Sequence, residues 1–163
     1  MSSWNQIKKK LLEFSQNHPQ VNSFGTGDAL SIGTDNTINL IHSSRDRITY
    51  PLVFADFDSA SFNASLRTMQ VVLFVMDRVE EVRNKPTAAA DWRDNEDEVI
   101  SDMFEVVSDF VSAFQDDPEL DYTLNSSVVA NRFLDARDDK VAGWRAVLNF
   151  ELPFSRSVCI IPT

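Results

Sequence analysis

Among the residues of this sequence that could form a catalytic or metal site, the acidic ones have the most suggestive spacing. Asp56 and Asp58 lie two residues apart in an apolar segment, so in a strand both would project from one face and could bind a cation together. No histidine or third acid stands at a defined spacing from the pair. A denser group of carboxylates comprises Asp91, Asp94, Glu96, Asp97, Glu98 and Asp102. Acids collect at helix N-termini because they complement the helix dipole, so we expect no metal site in this second group. For Asp56 and Asp58 we expect an outward-facing polar edge.

The histidines, glycines and cysteine also fall short of a catalytic or cofactor site. His18 and His42 are the only histidines, and the sequence contains no GxSxG-like turn that would present a nucleophilic serine. Gly25 and Gly27 lack the lysine of a phosphate-binding loop. Cys159 lies in an apolar tail, where we expect a buried and unreactive thiol. The sequence therefore predicts no catalytic residues, no cofactor and no enzymatic activity.

The composition indicates a single acidic domain covering residues 1–163. Hydrophobic residues make up 43% of the chain, enough for a core, and 25 acidic against 15 basic residues give a net charge of −10. That sign disfavours a protein that grips nucleic acid with clustered lysines and arginines. The longest apolar run, residues 71–76, is far too short to span a membrane, and the N-terminus has no secretory signal. We therefore expect no membrane partner and assembly inside a cell.

Hydrophobic periodicity predicts two amphipathic helices that must position these residues. The first covers residues 4–17, with an apolar face formed by Trp4, Ile7, Leu11 and Phe14. The second covers about residues 95–114, with Asn95 and Glu98 as a capping pair. Its apolar stripe is wide enough to face a sheet. The stripe consists of Val99, Met103, Val106, Phe110 and Phe114, widened by Ile100, Phe104, Val107 and Val111.

Alternating patterns and turn residues predict six strands. They lie in segments 21–33, 37–42, 48–58, 65–77, about 127–135 and 141–153, with a polar turn at 59–64 and a charged connecting arm at 78–94. The element order is α-β-β-β-β-α-β-β. The fold class is therefore α+β, an antiparallel sheet packed by the long helix and the N-terminal helix.

Residues 71–76 are apolar on both faces of their strand, so that strand needs a cover on each side. The long helix supplies one cover. The second is either the N-terminal helix of the same chain or a neighbouring subunit. In the latter case Trp4, Ile7, Leu11 and Phe14 are the candidate subunit-interface residues.

The order of elements resembles that of phage tail-terminator and neck-ring proteins. Three stretches carry the resemblance. Residues 50–54 (YPLVF) are similar to the segment where these proteins enter their central strands, and residues 138–145 (DDKVAGWR) are similar to the turn into their last long strand. Residues 152–154 (LPF), followed by Cys159 and Pro162, are similar to their C-terminal ending. The resemblance implies a tail-terminator-like fold.

The function implied by this resemblance is structural. Such a chain is a subunit of a closed ring, a hexamer or dodecamer, in the head-to-tail connector or tail of a virion assembled in the host cytoplasm. Its partners are copies of itself and neighbouring portal, neck or tail ring proteins, and DNA passes through without specific binding. An acidic bore would repel the duplex. The candidate bore or ring-contact residues are Asp135, Arg137, Asp138, Asp139 and Lys140.

Two alternatives belong to other classes of function. One is an acidic inhibitor that mimics DNA and occupies the basic groove of a host protein, which predicts regularly spaced carboxylates over one face. The other is a metal-dependent enzyme using Asp56, Asp58 and the acids near Glu96.

Overall fold

Two helices and seven strands make up the described part of the chain. The computed structural model describes residues 4–27, 38–40, 50–63, 65–79, 95–135 and 141–153. The elements are α1 (Trp4–Asn17), β1 (Ser23–Thr26), β2 (Ile38–Leu40), β3 (Leu52–Phe62), β4 (Leu66–Arg78), α2 (Glu96–Gln115), β5 (Thr123–Leu124), β6 (Val129–Asp135) and β7 (Val141–Pro153). The predicted α+β class and both predicted helices are confirmed. Within these ranges no helix is long and apolar enough to cross a membrane.

The strands form one mixed sheet in the order β2-β1-β3-β4-β7-β5, with β6 also pairing to β7. The prediction of an antiparallel sheet is wrong for one pair, because β1 and β3 are parallel. This follows from the chain path: β2 turns back along one edge of β1, and β3 then returns along the other edge in the same direction as β1. Gly143 is required where β4 and β7 pair, because a Cβ atom there would overlap the carbonyl oxygen of Val75.

The β3–β4 hairpin is longer than its sequence suggests. The predicted polar turn at 59–64 is wrong, because β3 continues to Phe62 after a bulge between Phe57 and Ser59. The turn is tighter: the Asn63 side-chain oxygen accepts hydrogen bonds from the backbone N–H groups of Ser65 (3.0 Å) and Leu66 (2.7 Å). The polar residues before it are exposed strand residues.

Helix α2 packs its apolar stripe against the alternate residues of β7. Phe114 lies edge-on to Phe150, with ring centroids 5.2 Å apart, and the Trp144 indole N–H donates to the carbonyl oxygen of Ile100 at 2.8 Å. The buried residues of the helix are Val99, Met103, Val106, Val107, Phe110 and Phe114. Phe104 is an exception to the predicted stripe, because half of its surface (51%) stays exposed. Asn95 makes no side-chain capping hydrogen bond, contrary to the prediction.

Helix α1 lies on the same face of the sheet as α2. Ile7 and Leu11 are fully buried in the core cluster that contains Val53 on β3 and most of the α2 stripe. The ring of Phe14 packs edge-on against Phe114 at 5.2 Å, which ties the two helices into one layer. Of the two alternatives for the cover of the opposite face, α1 is therefore wrong. That face has a separate small cluster of Leu52, Met76 and Val141, flanked by the partly buried Tyr50, Phe74 and Phe133.

We expect Phe110→Ala or Phe150→Ala to destabilise the fold by about 3–5 kcal/mol, because each removes a fully buried ring and leaves a cavity. Urea denaturation followed by circular dichroism measures the change in free energy of unfolding. Phe62→Ala is the matched control, since Phe62 is 72% exposed and its truncation should be nearly neutral. A loss below about 1 kcal/mol at both buried sites would contradict this account of the core.

Candidate functional site

Asp56 and Asp58 lie where the outer half of β3 begins. Asp56 pairs with Val72, and Asp58 occupies the bulge, where its carboxylate accepts a hydrogen bond from the Gln70 side chain at 3.0 Å. A shallow open cleft at this point is lined by Trp4, Thr26, Gly27, Asp56, Phe57 and Asp58. Within the described ranges, no three His, Cys, Asp or Glu side chains come together in a way that could hold a metal ion. The two acids are thus neighbours on one strand, and the bulge interrupts the alternation from which a shared face was predicted.

The acids around Glu96 lie in the first turn of α2, as the helix-dipole interpretation predicts. Glu96, Asp97 and Glu98 occupy that turn, and Asp102 is exposed one turn further on. Asp91 and Asp94 lie outside the described residues. The metal-enzyme alternative needs these acids and those of β3 to meet, and no such group of ligands forms in the part of the chain that the structure describes.

His18 connects the end of α1 to the middle of α2. Its Nδ1 accepts a hydrogen bond from the backbone N–H of Gln20 (3.2 Å), which leaves Nε2 as the donor to the Asp109 carboxylate (2.9 Å). The ring also stacks on Phe110 at 6.2 Å. An adjoining cleft is lined by Phe14, Asn17, His18, Pro19, Gln20, Glu105, Asp109, Phe110 and Ala113, none of which is a serine or cysteine. His18 therefore serves as a helix-to-helix contact. His42 and Cys159 lie outside the described residues.

The predicted subunit-interface residues lie inside their own subunit. Ile7 and Leu11 have no exposed surface, so neither can contact a neighbour while α1 keeps its place. Trp4 packs on Phe57 of β3 at 5.3 Å, and Phe14 packs on α2. Within the subunit this apolar face holds α1 on the core, and the subunit-interface role of these four residues stays a prediction. Of the candidate bore residues, Asp135 ends β6, and Arg137, Asp138, Asp139 and Lys140 lie outside the described residues.

Lys10 links α1 to the loop that follows α2. Its ammonium lies 2.6 Å from the Glu119 carboxylate and 3.5 Å from that of Asp117, with Glu13 at 3.8 Å on the same helix. The hydrogen bond to Glu119, reinforced by the charges of Asp117 and Glu13, raises the pKa of Lys10 above its ordinary value. The basic run of the sequence thus contributes one lysine to an ion cluster at the surface.

One segment of the sequence accounts for the net negative charge of the protein. Residues 95–131 contain ten acidic residues and no lysine or arginine, so this segment alone carries a charge of −10. The rest of the chain holds 15 acidic and 15 basic residues, which cancel. Along α2, Glu98, Asp102, Glu105 and Asp109 are exposed and recur at helical spacing, so they form one stripe facing away from the sheet. We call these four residues the acidic stripe. A count of charge along the sequence would have found it.

Exposed large hydrophobic side chains concentrate on two edge strands. Phe57 and Phe62 lie on β3, and Val129 and Leu134 lie on β6. Among the described residues only Phe104 has comparable exposure elsewhere. Because β4 and β7 separate β3 from β6, the two edges are on opposite sides of the sheet. The alternation of the sequence did not predict this, since it marks which residues alternate and not which strand is left at an edge.

We expect Lys10→Met to lower the melting temperature at neutral pH, because it leaves the carboxylates of Asp117 and Glu119 without their cation. Lys9→Met, on the exposed side of the same helix, is the control and should change little. Since the folded-state pKa of Lys10 is raised, its stabilising contribution is fully present below the ordinary lysine value of 10.5 and is lost as pH rises through the raised value. The difference between Lys10→Met and wild type should therefore shrink at strongly alkaline pH. A difference that is constant across that range would contradict the ion cluster.

We expect exhaustive dialysis against a chelator to leave the melting temperature unchanged, because no third His, Cys, Asp or Glu of the described residues joins Asp56 and Asp58 in a metal-binding group. Scanning calorimetry before and after dialysis, then with Mg²⁺ or Mn²⁺ added back, measures this. A drop of several degrees that one cation reverses, and that Asp58→Asn abolishes, would restore the two acids as ligands.

Comparison with known proteins assigns no function to these surfaces. No protein-family model matches the sequence, and no curated protein is significantly similar to it. The function of the chain is therefore inferred from its charge distribution, its exposed edges and its topology.

Proposed function

We propose that this chain is a structural subunit of a phage head-to-tail connector or tail ring, through which DNA passes. The resemblance to tail-terminator and neck-ring proteins motivates the proposal. The described parts of its three stretches are residues 50–54, of which Leu52–Phe54 belong to β3, and residues 141–145 and 152–153 of β7. The tail-terminator-like character of the fold is part of the proposal.

The observation that carries the proposal is the confinement of the net charge to residues 95–131. A ring through which DNA passes must not bind the duplex tightly, and every phosphate neutralised by a lysine or arginine raises the affinity for DNA. The acidic stripe offers a repulsive surface without a single cation in its segment. An exposed acidic face of this kind, repeated around a closed ring, keeps DNA centred and mobile. The rest of the chain carries equal numbers of acidic and basic residues, so its charges add no net repulsion between copies.

The proposed assembly sets the partners and the location. Copies of the chain form a hexamer or dodecamer, and neighbouring portal, neck or tail ring proteins contact its two ends. The ring resides in the neck or tail of the virion and is assembled in the host cytoplasm. DNA is a passing cargo that makes no specific contact, and the ring itself carries out no chemical reaction.

A second candidate is the DNA-mimic inhibitor, which the regular spacing of the acidic stripe favours. Successive acids of the stripe are three or four residues apart, which places them about 4.5–6 Å apart along the helix axis. Duplex DNA carries one charge per about 1.7 Å of its axis, so the stripe is several times sparser than the surface it would imitate. This difference in charge density favours the ring over the inhibitor.

We expect the purified protein to form a closed oligomer with the mass of six or twelve subunits, since head-to-tail contacts close when the rotation permits. Light scattering after size-exclusion chromatography and native mass spectrometry measure the mass. The variant Asp102→Asn/Glu105→Gln should keep that mass but retain duplex DNA more tightly at low salt, while Asp56→Asn/Asp58→Asn, off the stripe, serves as the charge-matched control.

Two results would overturn the connector assignment. One is the complete lack of the protein in purified virions. The other is a stable one-to-one complex between a monomer of this chain and a DNA-binding host protein, weakened by neutralising the acidic stripe. Either result would place the inhibitor function first.

A further inference from the structure

The cleft between the end of α1 and the middle of α2 has an apolar floor and an open side. Phe110 is buried and Phe14 and Ala113 are partly buried, whereas most of the other lining residues are exposed. A small molecule bound here would keep much of its surface in water, while ligand sites usually bury most of a small ligand. The shape therefore suits a side chain that another protein holds in place from outside.

Two carboxylates border this floor, and no lysine or arginine of the described residues does. Glu105 and Asp109 are four residues apart on α2, which places them on one side of the helix and about 6 Å apart along its axis. Glu105 makes no hydrogen bond or ion pair within the described part of the chain. The cleft thus combines an apolar surface with negative charge that lacks a cation.

Asp109 is oriented by a pair of hydrogen bonds that pass through His18. The Gln20 backbone N–H donates to Nδ1 of His18 (3.2 Å), so the proton of the neutral ring lies on Nε2, which donates to one oxygen of Asp109 (2.9 Å). The second carboxylate oxygen stays available as an acceptor, in a side chain that is 64% exposed. A carboxylate that is oriented before its partner arrives loses less conformational freedom on binding.

We propose that this cleft binds an arginine side chain of a partner protein. The methylene groups of the arginine lie over the apolar floor, and its guanidinium donates to Asp109 and Glu105. Arginine fits better than lysine because the planar guanidinium is weakly hydrated, packs on aromatic rings and bonds carboxylates through several N–H groups at once. Charge complementarity supports the choice, since residues 95–131 contain no cation of their own.

Binding of arginine in the cleft does not require the proposed ring. Glu105 and Asp109 are the last two residues of the acidic stripe, so a partner seated in the cleft covers that end of the stripe. Glu98 and Asp102, nearer the start of α2, stay in solvent. The site lies within one subunit and can be tested on the protein in any oligomeric state.

Nuclear magnetic resonance of the full-length, ¹⁵N-labelled chain tests the site with a peptide as the probe. The probe is acetyl-Gly-Arg-Gly-amide, and its matched control carries citrulline, which replaces the guanidinium by an uncharged group of nearly the same shape. Because one side chain on an open surface binds weakly, we expect a dissociation constant in the millimolar range. Saturable shifts should appear at the amides that line the cleft with the arginine peptide, and not with the citrulline peptide.

Charge-neutralising variants show whether the two carboxylates are responsible. Glu105→Gln and Asp109→Asn should each weaken binding of the arginine peptide by about threefold or more, since each removes one acceptor of the guanidinium. Asp102→Asn removes the same charge from the acidic stripe outside the cleft and should leave binding unchanged. Unchanged amide spectra elsewhere in the protein confirm that each variant stays folded.

Three results would overturn the arginine site. One is a lack of saturable shifts, or equal shifts with the citrulline peptide. Another is equal weakening by Asp102→Asn, which would mean that the peptide senses only the overall charge of α2. The third is tighter binding of free arginine than of the peptide, which would assign the cleft to a small molecule. None of these measurements depends on oligomer mass, so failure of the ring and failure of the arginine site are distinguishable.

Discussion

The packing of three phenylalanine rings in series determines the layer structure of this protein. Phe14 of α1 contacts Phe114 of α2, and Phe114 contacts Phe150 of β7, each edge-on at 5.2 Å. Edge-to-face pairs of this kind add to the free energy of burying the rings. Because one α2 side chain touches both the other helix and the sheet, the two helices cannot move to opposite faces without breaking it. Lys10 and His18 add polar contacts between α1 and the α2 region.

A single layer of helices has consequences for the rest of the surface. The helices occupy one face of the sheet, and α1 extends over β1 and the inner half of β3 but leaves residues 57–62 exposed. The acidic residues of α2 then point away from the sheet, since the opposite side of the helix is committed to the core. The open edges and the acidic stripe are thus two products of the same packing, and they lie on different parts of the molecule.

Sequence periodicity predicts an element well where one face of the helix or strand is buried and the other is exposed to solvent. It predicted α2 and β7 closely because Phe110, Phe114 and Phe150 alternate with polar residues at the period of their element. It could not place α1, because β4 is apolar on both faces and offers no sign of which one α1 covers. It also predicts a turn at residues 59–64, of which 59–62 belong to β3, because a strand exposed on both faces has the composition of a loop. The parallel β1–β3 pair depends on chain path, which local patterns do not contain.

At the candidate site, too, the sequence predicts some features and the fold determines the others. Asp56 and Asp58 were placed correctly on one strand, but their exposure and the lack of a third ligand beside them among the described residues are properties of the fold. The acidic segment divides in the same way. A count along the sequence finds the ten acids of residues 95–131, six of them in α2, without any knowledge of the fold. Which of these acids are exposed depends on packing, because the apolar side of α2 is committed to the sheet and leaves the acidic stripe in solvent.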